Sequence, residues 1–142
     1  MRRGAPDDDA AVTDLLRALH LAERGELAPD DELRRLLGRC DFLVAQAGED
    51  VAGALAFEIF RPAGFRPEPG HAVVMALTVT PAWRRRGVAS RLIADLREAL
   101  RGEGCASVLL YARPENKPAL AFYRAMGFAR DGEALTLMLT PP

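Results

Sequence analysis

The sequence predicts an α+β (α/β) fold, in which a mixed sheet has helices packed on it. Apolar residues recur at helical spacing in some segments and form short alternating or continuous runs in others. The resulting order is α-α-β-β-β-α-β-α-β, and a short strand also fits before the first helix. A length of 142 residues and a hydrophobic fraction of 49% suit a single globular domain spanning residues 1–142.

The N-terminal part of the chain predicts two helices. From Ala10 to His20 the apolar residues share one helical face, and the acidic run Asp7–Asp9 before them suits the positive end of a helix. Asp30 is expected to cap a second helix, which Gly38 ends. The link over residues 21–29 is polar and irregular.

Strands and the remaining helices follow in the rest of the chain. Residues 42–47 and 51–60 predict a hairpin, and residues 61–70, rich in proline and glycine, predict a loop. His71 to Thr80 is a nearly continuous apolar run, typical of a buried central strand. Later elements are a helix from Val88 to Leu100, a strand at 107–111, a helix from Pro118 that Gly127 ends, and a strand at 135–139.

Charge and composition exclude several classes of protein. The net charge is −1, from 19 basic and 20 acidic residues, so no global basic field favours a nucleic-acid partner. No apolar run approaches the roughly 18 residues of a membrane span, and no signal-peptide core follows Arg2 and Arg3, so we expect a cytoplasmic protein. Cys40 and Cys105 lack histidines at metal-ligand spacing and are expected to be buried hydrophobes, with no metal.

The turn between the buried strand and the following helix is the best candidate site. Arg84, Arg85 and Arg86 precede Gly87, and a helix opens at Gly87 to Ser90. Free N–H groups at a helix N-terminus, small residues and arginine side chains favour an anion such as a phosphate. A solvated basic turn, in which Gly87 only relieves backbone strain, explains the same residues, and both interpretations remain open at this point.

Two motifs resemble one family. Residues 84–89, Arg-Arg-Arg-Gly-Val-Ala, resemble the [Gln/Arg]-x-x-Gly-x-[Gly/Ala] signature of the GNAT superfamily of acyl-CoA-dependent N-acyltransferases. Downstream, Asn116, Ala119, Phe122-Tyr123 and Gly127-Phe128 are similar to that family's Asn-x-x-Ala-x-x-x-Tyr-x-x-x-Gly-Phe segment. The two matches cover roughly residues 73–128 in the family's order.

The resemblance implies a mostly antiparallel central sheet with helices on both faces, whose two central strands splay apart near Val79. Acetyl-CoA would lie between these strands, pairing through its pantetheine arm with the main chain of 77–79, and a backbone N–H near Val79 would meet the oxyanion. N–H groups from Arg85 to Ser90 would hold the pyrophosphate. The implied cofactor-binding residues are Leu77, Thr78, Val79, Arg84, Arg85, Arg86, Gly87, Val88, Ala89, Ser90 and Asn116.

Tyr123 occupies the position where the family often places a general acid. A phenol, with an ordinary pKa of about 10, can donate a proton to a thiolate leaving group. The alternative is that Tyr123 is only a core aromatic. Asn116 has two compatible roles as well, since it can contact the cofactor arm and also act as N-cap of the following helix.

The general base departs from the family's pattern. Some members place a carboxylate at positions matching Met75, Ala76 or Tyr111, and none of these is acidic here. Glu58, His71 and a water-relayed base remain as alternatives.

The resemblance implies an N-acetyltransferase that moves an acetyl group from acetyl-CoA to a primary amine by direct attack in a ternary complex. The acceptor site would be built from residues 21–29, residues 61–70 and the C-terminal hairpin, whose mixed charges leave both a small amine and a peptide amine open. The chain would be a monomer or a homodimer. An alternative is a non-catalytic acyl-CoA sensor or interaction module, whereas nucleic-acid binding by Arg84–Arg86 is disfavoured because no basic stripe accompanies them.

Overall fold

The computed structural model describes residues 2–25, 29–63, 69–131 and 134–139. The described strands are β1 (Arg2–Arg3), β2 (Asp41–Ala47), β3 (Asp50–Phe60), β4 (Gly70–Val79), β5 (Cys105–Tyr111), β6 (Ala129–Asp131) and β7 (Ala134–Met138). The described helices are α1 (Asp9–Arg24), α2 (Asp30–Arg39), α3 (Val88–Gly102) and α4 (Lys117–Ala125). The short strand before the first helix is therefore present as β1, while β6 was not predicted.

The contacts divide the chain into two compact units, and β3, β4 and α3 each run through both. The first unit comprises residues 1–57 and 75–92, and the second comprises residues 58–74 and 93–142. The single-domain organisation of residues 1–142 stays a prediction.

The strands form a mixed, mostly antiparallel sheet, which confirms the predicted fold class. Their order is β1-β2-β3-β4-β5-β7-β6. The pairs β1–β2, β2–β3, β5–β7 and β6–β7 are antiparallel, and β4–β5 is parallel. The ladder between β4 and β5 runs from Gly70↔Cys105 to Val73↔Leu109, although both strands continue further. Separation of the two strands beyond this ladder stays a prediction.

In the first unit, α1 and α2 bury their apolar faces against the sheet. The cluster combines helix residues with small and β-branched strand residues: Val12, Leu15, Leu16, Leu33, Val44, Ala54, Ala56 and Ala76. The alanines of β3 keep this face flat under the helices. Burial of these side chains is the main stabilising contribution of the unit, at roughly 25 cal/mol per Å² of apolar surface.

A charged pair fastens β1 to the start of α1. Arg2 donates from Nη1 and Nη2 to the carboxylate of Asp8, at 2.6 and 2.7 Å. The same carboxylate accepts the N–H of Ala5 at 2.7 Å. The hydrogen bonds from Arg2, followed by the one from Ala5, lower the pKa of Asp8 to about 2. Asp8 is therefore ionised at neutral pH although the residue is buried.

The start and end of α2 differ from the prediction. Pro29, in an extended conformation, occupies the N-cap position, and Asp30 is the first helical residue. Because Asp30 is already inside the helix, its carboxylate makes no cap bond and instead accepts a hydrogen bond from Arg17 at 3.2 Å. Gly38 does not end the helix either, since α2 continues to Arg39.

In the second unit, one face of β5 and β7 is buried and the other is largely open. The buried side chains of the paired residues are Val108, Leu110, Leu135 and Leu137. On the opposite face Tyr111 is 69% exposed and Met138 is 61% exposed. In the first unit's part of β4, Met75 is 47% exposed. The predicted strand is confirmed as β4, which ends at Val79 and leaves Thr80 outside, but the expectation of burial fails at Met75.

The two cysteines are free thiols. Cys105 is buried, and burial raises the pKa of its thiol, which makes it a poor nucleophile at neutral pH. Cys40 is half-buried and packs against the first unit's apolar cluster. Among the described residues, no helix combines the length and apolar character needed to cross a membrane.

Candidate active site

The strand-to-helix turn lies entirely in the first unit, and the backbone fixes how β4 leaves the sheet. The N–H of Thr80 donates to the carbonyl of Ala52 in β3 at 2.8 Å, which holds the end of β4. Residues Pro81–Trp83 then form a short 3-10 helix, in which the N–H of Trp83 donates to the carbonyl of Thr80 at 2.9 Å. The proline starts this helix without losing a bond, since the first N–H of a helix has no internal partner.

The three arginines of the turn have three different environments. Arg84 donates from Nε to the carbonyl of Val79, at a long 3.4 Å. The guanidinium of Arg86 lies 5.0 Å from the centre of the Trp83 ring, a cation–π contact. Arg85 is exposed, and its side chain makes no hydrogen bond or ion pair within the described ranges. Its φ of +61° is unusual for a residue with a side chain. Of the three arginines, Arg85 is therefore the one whose guanidinium makes no contact within the turn and can bind an anion.

Gly87 opens the helix and leaves space beside it. Its φ is +79°, a region that favours glycine, and a Cβ built on it meets no atom within 4 Å. The first helical bond is donated by the N–H of Arg91 to the carbonyl of Gly87, at 3.0 Å. The N–H groups of Val88, Ala89 and Ser90 therefore precede the first helical bond and have no partner inside the helix. These donors, the helix dipole and Arg85 suit an anion such as a phosphate.

Gly53, which is not among the predicted site residues, makes this junction possible. A Cβ on Gly53 would lie 2.8 Å from the carbonyl oxygen of Thr78 and 3.1 Å from Cγ1 of Val88. The start of α3 therefore packs closely on one face of β3. Ala54 belongs to the opposite face, and α1 and α2 lie on that opposite face. Helices thus lie on both faces, as the resemblance implied. An isolated glycine inside a strand is the sequence signal for such an approach.

Asn116 is the N-cap of α4, in the second unit. Its Oδ1 accepts the N–H of Ala119 at 3.3 Å, and Pro118 lies in the first turn. The capping role expected for Asn116 is confirmed. Its contact with the cofactor arm stays a prediction.

Tyr123 is half-buried on α4, and its ring packs among aromatic neighbours. The ring centres of Phe122 and Phe128 lie 5.3 and 5.6 Å away, both in edge-to-face geometry. This packing fixes the ring plane, so the direction of the hydroxyl is defined too. Tyr123 therefore packs as part of an aromatic cluster, and its role as general acid stays a prediction that this packing permits.

The candidate bases lie in the second unit. Glu58 is half-buried near the end of β3. The ring of His71 stacks on Phe60, with ring centres 5.6 Å apart and planes 18° from parallel. The structure assigns the base to neither residue. Of the predicted acceptor segments, residues 26–28, 64–68 and 132–133 lie outside the described residues.

Comparison with known proteins identifies the family. The sequence profile described as "Acetyltransferase (GNAT) family" matches residues 10–128. The chain belongs to this family, and its fold is that of the GNAT acetyltransferases.

Individual relatives agree with this assignment. The chain is 34% identical over 114 residues to serotonin N-acetyltransferase 2, chloroplastic, of Oryza sativa subsp. japonica, covering 75% of this chain and 50% of that protein. It is thus similar to about half the length of that relative.

Solved structures share the fold at low identity. The ribosomal-protein-S18-alanine N-acetyltransferase of Escherichia coli superposes with a TM-score of 0.77 at 16% identity, covering 99% of this chain and 95% of that one. AAC(6')-Iy, solved with the bisubstrate analog CoA-S-monomethyl-acetylneamine, superposes with a TM-score of 0.73 at 22% identity, covering 91% and 89%.

Proposed function

We propose that the protein is an N-acetyltransferase that moves the acetyl group of acetyl-CoA to a primary amine by direct attack in a ternary complex. The observation that carries the proposal is the donor set of the first unit. Arg85 lies two residues before Gly87, and the N–H groups of Val88, Ala89 and Ser90, which have no partner inside the helix, follow directly. This segment lies within the residues that match the family.

Each part of the turn has a role in binding the cosubstrate. The N–H groups at the start of α3 hold the diphosphate, and the open space beside Gly87 admits its oxygens close to the backbone. The main chain of Leu77, Thr78 and Val79 pairs with the pantetheine arm as a neighbouring strand would. Asn116 contacts the same arm. A backbone N–H near Val79 stabilises the oxyanion.

Acetyl-CoA supplies an activated acetyl thioester. Tyr123 holds its proton on Oη and donates it to the departing sulfur, which is the step in which a fixed phenol ring is useful. The base that takes the proton from the amine is Glu58, His71 or a water molecule. The sequence has Met75, Ala76 and Tyr111 where some family members have a carboxylate, and this absence supports a base at another position.

The acceptor is a primary amine of a small molecule or of a protein. The relatives named above act on serotonin and on a ribosomal-protein alanine, and a third was solved with an acetylneamine analog. These relatives represent three chemical classes of amine, with which the search for the acceptor begins.

The test is a turnover assay with an amine panel of these three classes, following release of free CoA. Turnover of at least one amine above the hydrolysis rate supports the proposal. Acetyl-CoA binding without turnover of any amine favours the non-catalytic acyl-CoA sensor instead. Absence of both binding and turnover contradicts both functions.

A further inference from the structure

The hydroxyl of Thr80 is a buried polar group without a partner. Among the described residues, its Oγ1 is the buried side-chain oxygen that makes no hydrogen bond. Both backbone polar groups of the same residue are engaged, since its N–H donates to Ala52 at 2.8 Å and its carbonyl accepts from Trp83 at 2.9 Å. A buried hydroxyl without a hydrogen bond destabilises the state that contains it, because it has lost its water partners.

The location of this hydroxyl gives it a natural partner. Thr80 is the N-cap residue of the short helix Pro81–Trp83, and no side-chain cap bond is made. A threonine at an N-cap ordinarily accepts the N–H of the second or third helical residue through its hydroxyl. Here the third residue is Trp83, whose N–H is donated to the Thr80 carbonyl instead. The Trp83 N–H thus has two possible acceptors on Thr80, the carbonyl and the hydroxyl, and it is donated only to the carbonyl.

Trp83 connects this choice of acceptor to the anion site. The guanidinium of Arg86 lies 5.0 Å from the centre of the Trp83 ring, and Arg86 directly precedes Gly87. The next bond of the short helix, from the N–H of Arg84 to the carbonyl of Pro81, is long at 3.4 Å. The short helix is thus held by one normal and one long hydrogen bond, and any shift of Trp83 also moves Arg86, whose guanidinium lies on its ring.

We propose that Thr80 is a positioning residue for cosubstrate binding: its hydroxyl accepts the Trp83 N–H in the acetyl-CoA-bound state and so fixes Trp83 and Arg86 beside the phosphates. The inference rests on the proposed function. In the free protein the hydroxyl is unpaired and slightly destabilising. In the bound state it shares the Trp83 N–H with the Thr80 carbonyl in a three-centre hydrogen bond, so neither oxygen is left without a partner. Valine, which has the same shape and no hydroxyl, would suit the free protein better and the bound protein less well.

The experiment compares Thr80→Val and Thr80→Ser with the wild type, and uses Thr13→Val as a matched control. Thr13 is a half-buried threonine in α1, outside the residues proposed for the site. Two quantities are measured on each protein: the melting temperature without ligand, and the dissociation constant of acetyl-CoA by isothermal titration calorimetry. Neither readout depends on knowing the acceptor amine.

We expect Thr80→Val to melt at or above the wild-type temperature and to bind acetyl-CoA about fivefold more weakly, the effect of one neutral hydrogen bond. Thr80→Ser keeps the wild-type affinity because it keeps the hydroxyl, and Thr13→Val leaves the affinity unchanged. A lower melting temperature of Thr80→Val would overturn the inference, because the hydroxyl would then already have a partner in the free protein. Affinity within about twofold of the wild type would overturn it as well. Failure of the wild type to bind acetyl-CoA contradicts the proposed function itself, and that result comes from a separate titration.

Discussion

Replacing Gly53 by alanine tests the close packing on which the anion site depends. The added Cβ would lie 2.8 Å from the carbonyl oxygen of Thr78, 3.1 Å from Val88 Cγ1 and 3.4 Å from Val79 Cγ2. The shortest of these contacts is to a backbone atom of β4, which cannot rotate away as the end of a side chain can. Either β3 moves away from β4, or the start of α3 moves outward.

The size of the effect follows from overpacking. Extra atoms in a well-packed region cost about 1–3 kcal/mol, and contact with a backbone oxygen places this substitution near the middle of that range. We expect Gly53→Ala to lower the free energy of unfolding by about 2 kcal/mol, which corresponds to a fall in melting temperature of about 6 °C for a chain of this length. The affinity for acetyl-CoA also falls, because Val79 and Val88 lie at the edge of the proposed binding site.

Gly38 provides the matched control. It lies within α2, and a Cβ there meets no atom within 4 Å. Gly38→Ala should therefore raise the free energy of unfolding by about 0.5–1 kcal/mol through helix propensity alone. Thermal melting followed by circular dichroism measures both variants beside the wild type. A Gly53→Ala protein that melts at or above the wild-type temperature would show that the junction has room and that the packing argument is wrong.

Three further predictions concern single side chains. Tyr123→Phe keeps the ring contacts with Phe122 and Phe128 and removes only the hydroxyl. Because the proposed proton donor is lost, we expect kcat to fall by about tenfold or more, while KM for acetyl-CoA changes little. A kcat within about twofold of the wild type would leave Tyr123 with a packing role only. Arg2 lowers the pKa of Asp8 to about 2, so the ion pair between them stabilises the protein fully above pH 4 and is lost as the pH falls towards 2. When the free energy of unfolding is measured against pH, this pair should account for a fall of about 1 kcal/mol in the wild type and for none in Asp8→Asn. Arg85→Ala should weaken acetyl-CoA binding and reduce its dependence on salt concentration, with little change in melting temperature; an unchanged salt dependence in calorimetric titrations would remove Arg85 from the site.

The elements that the sequence predicted correctly are those whose signal is local. Helices α1 and α3 have apolar residues at helical spacing over several turns, and the strands of the β2–β3 hairpin are separated by a clear turn. Strand β6 was missed because Ala129–Asp131 is three residues long and has no apolar alternation. The cap of α2 was misassigned because two neighbouring residues, Pro29 and Asp30, both suit a helix start, and only the backbone conformation distinguishes them.

The turn between β4 and α3 was predicted from the sequence, but its internal contacts were not. Spacing located the arginine turn, yet the stacking of Arg86 on Trp83 and the unpaired Thr80 hydroxyl depend on how the turn folds. Gly53 carried a readable signal, since it is an isolated glycine within a strand. The expected burial of β4 failed at Met75 because an apolar run does not show which side chains a neighbouring element covers.

Thermal melting with acetyl-CoA and with pantetheine tests the central claim, that the turn from Arg84 to Ser90 binds the phosphates of acetyl-CoA. A ligand that binds only the folded protein stabilises it by about 2.7 kcal/mol at a concentration about a hundredfold above its Kd. Because pantetheine lacks the diphosphate, we expect acetyl-CoA to raise the melting temperature clearly and pantetheine to raise it far less. An unchanged melting temperature at millimolar acetyl-CoA, or equal shifts with both compounds, would contradict the claim.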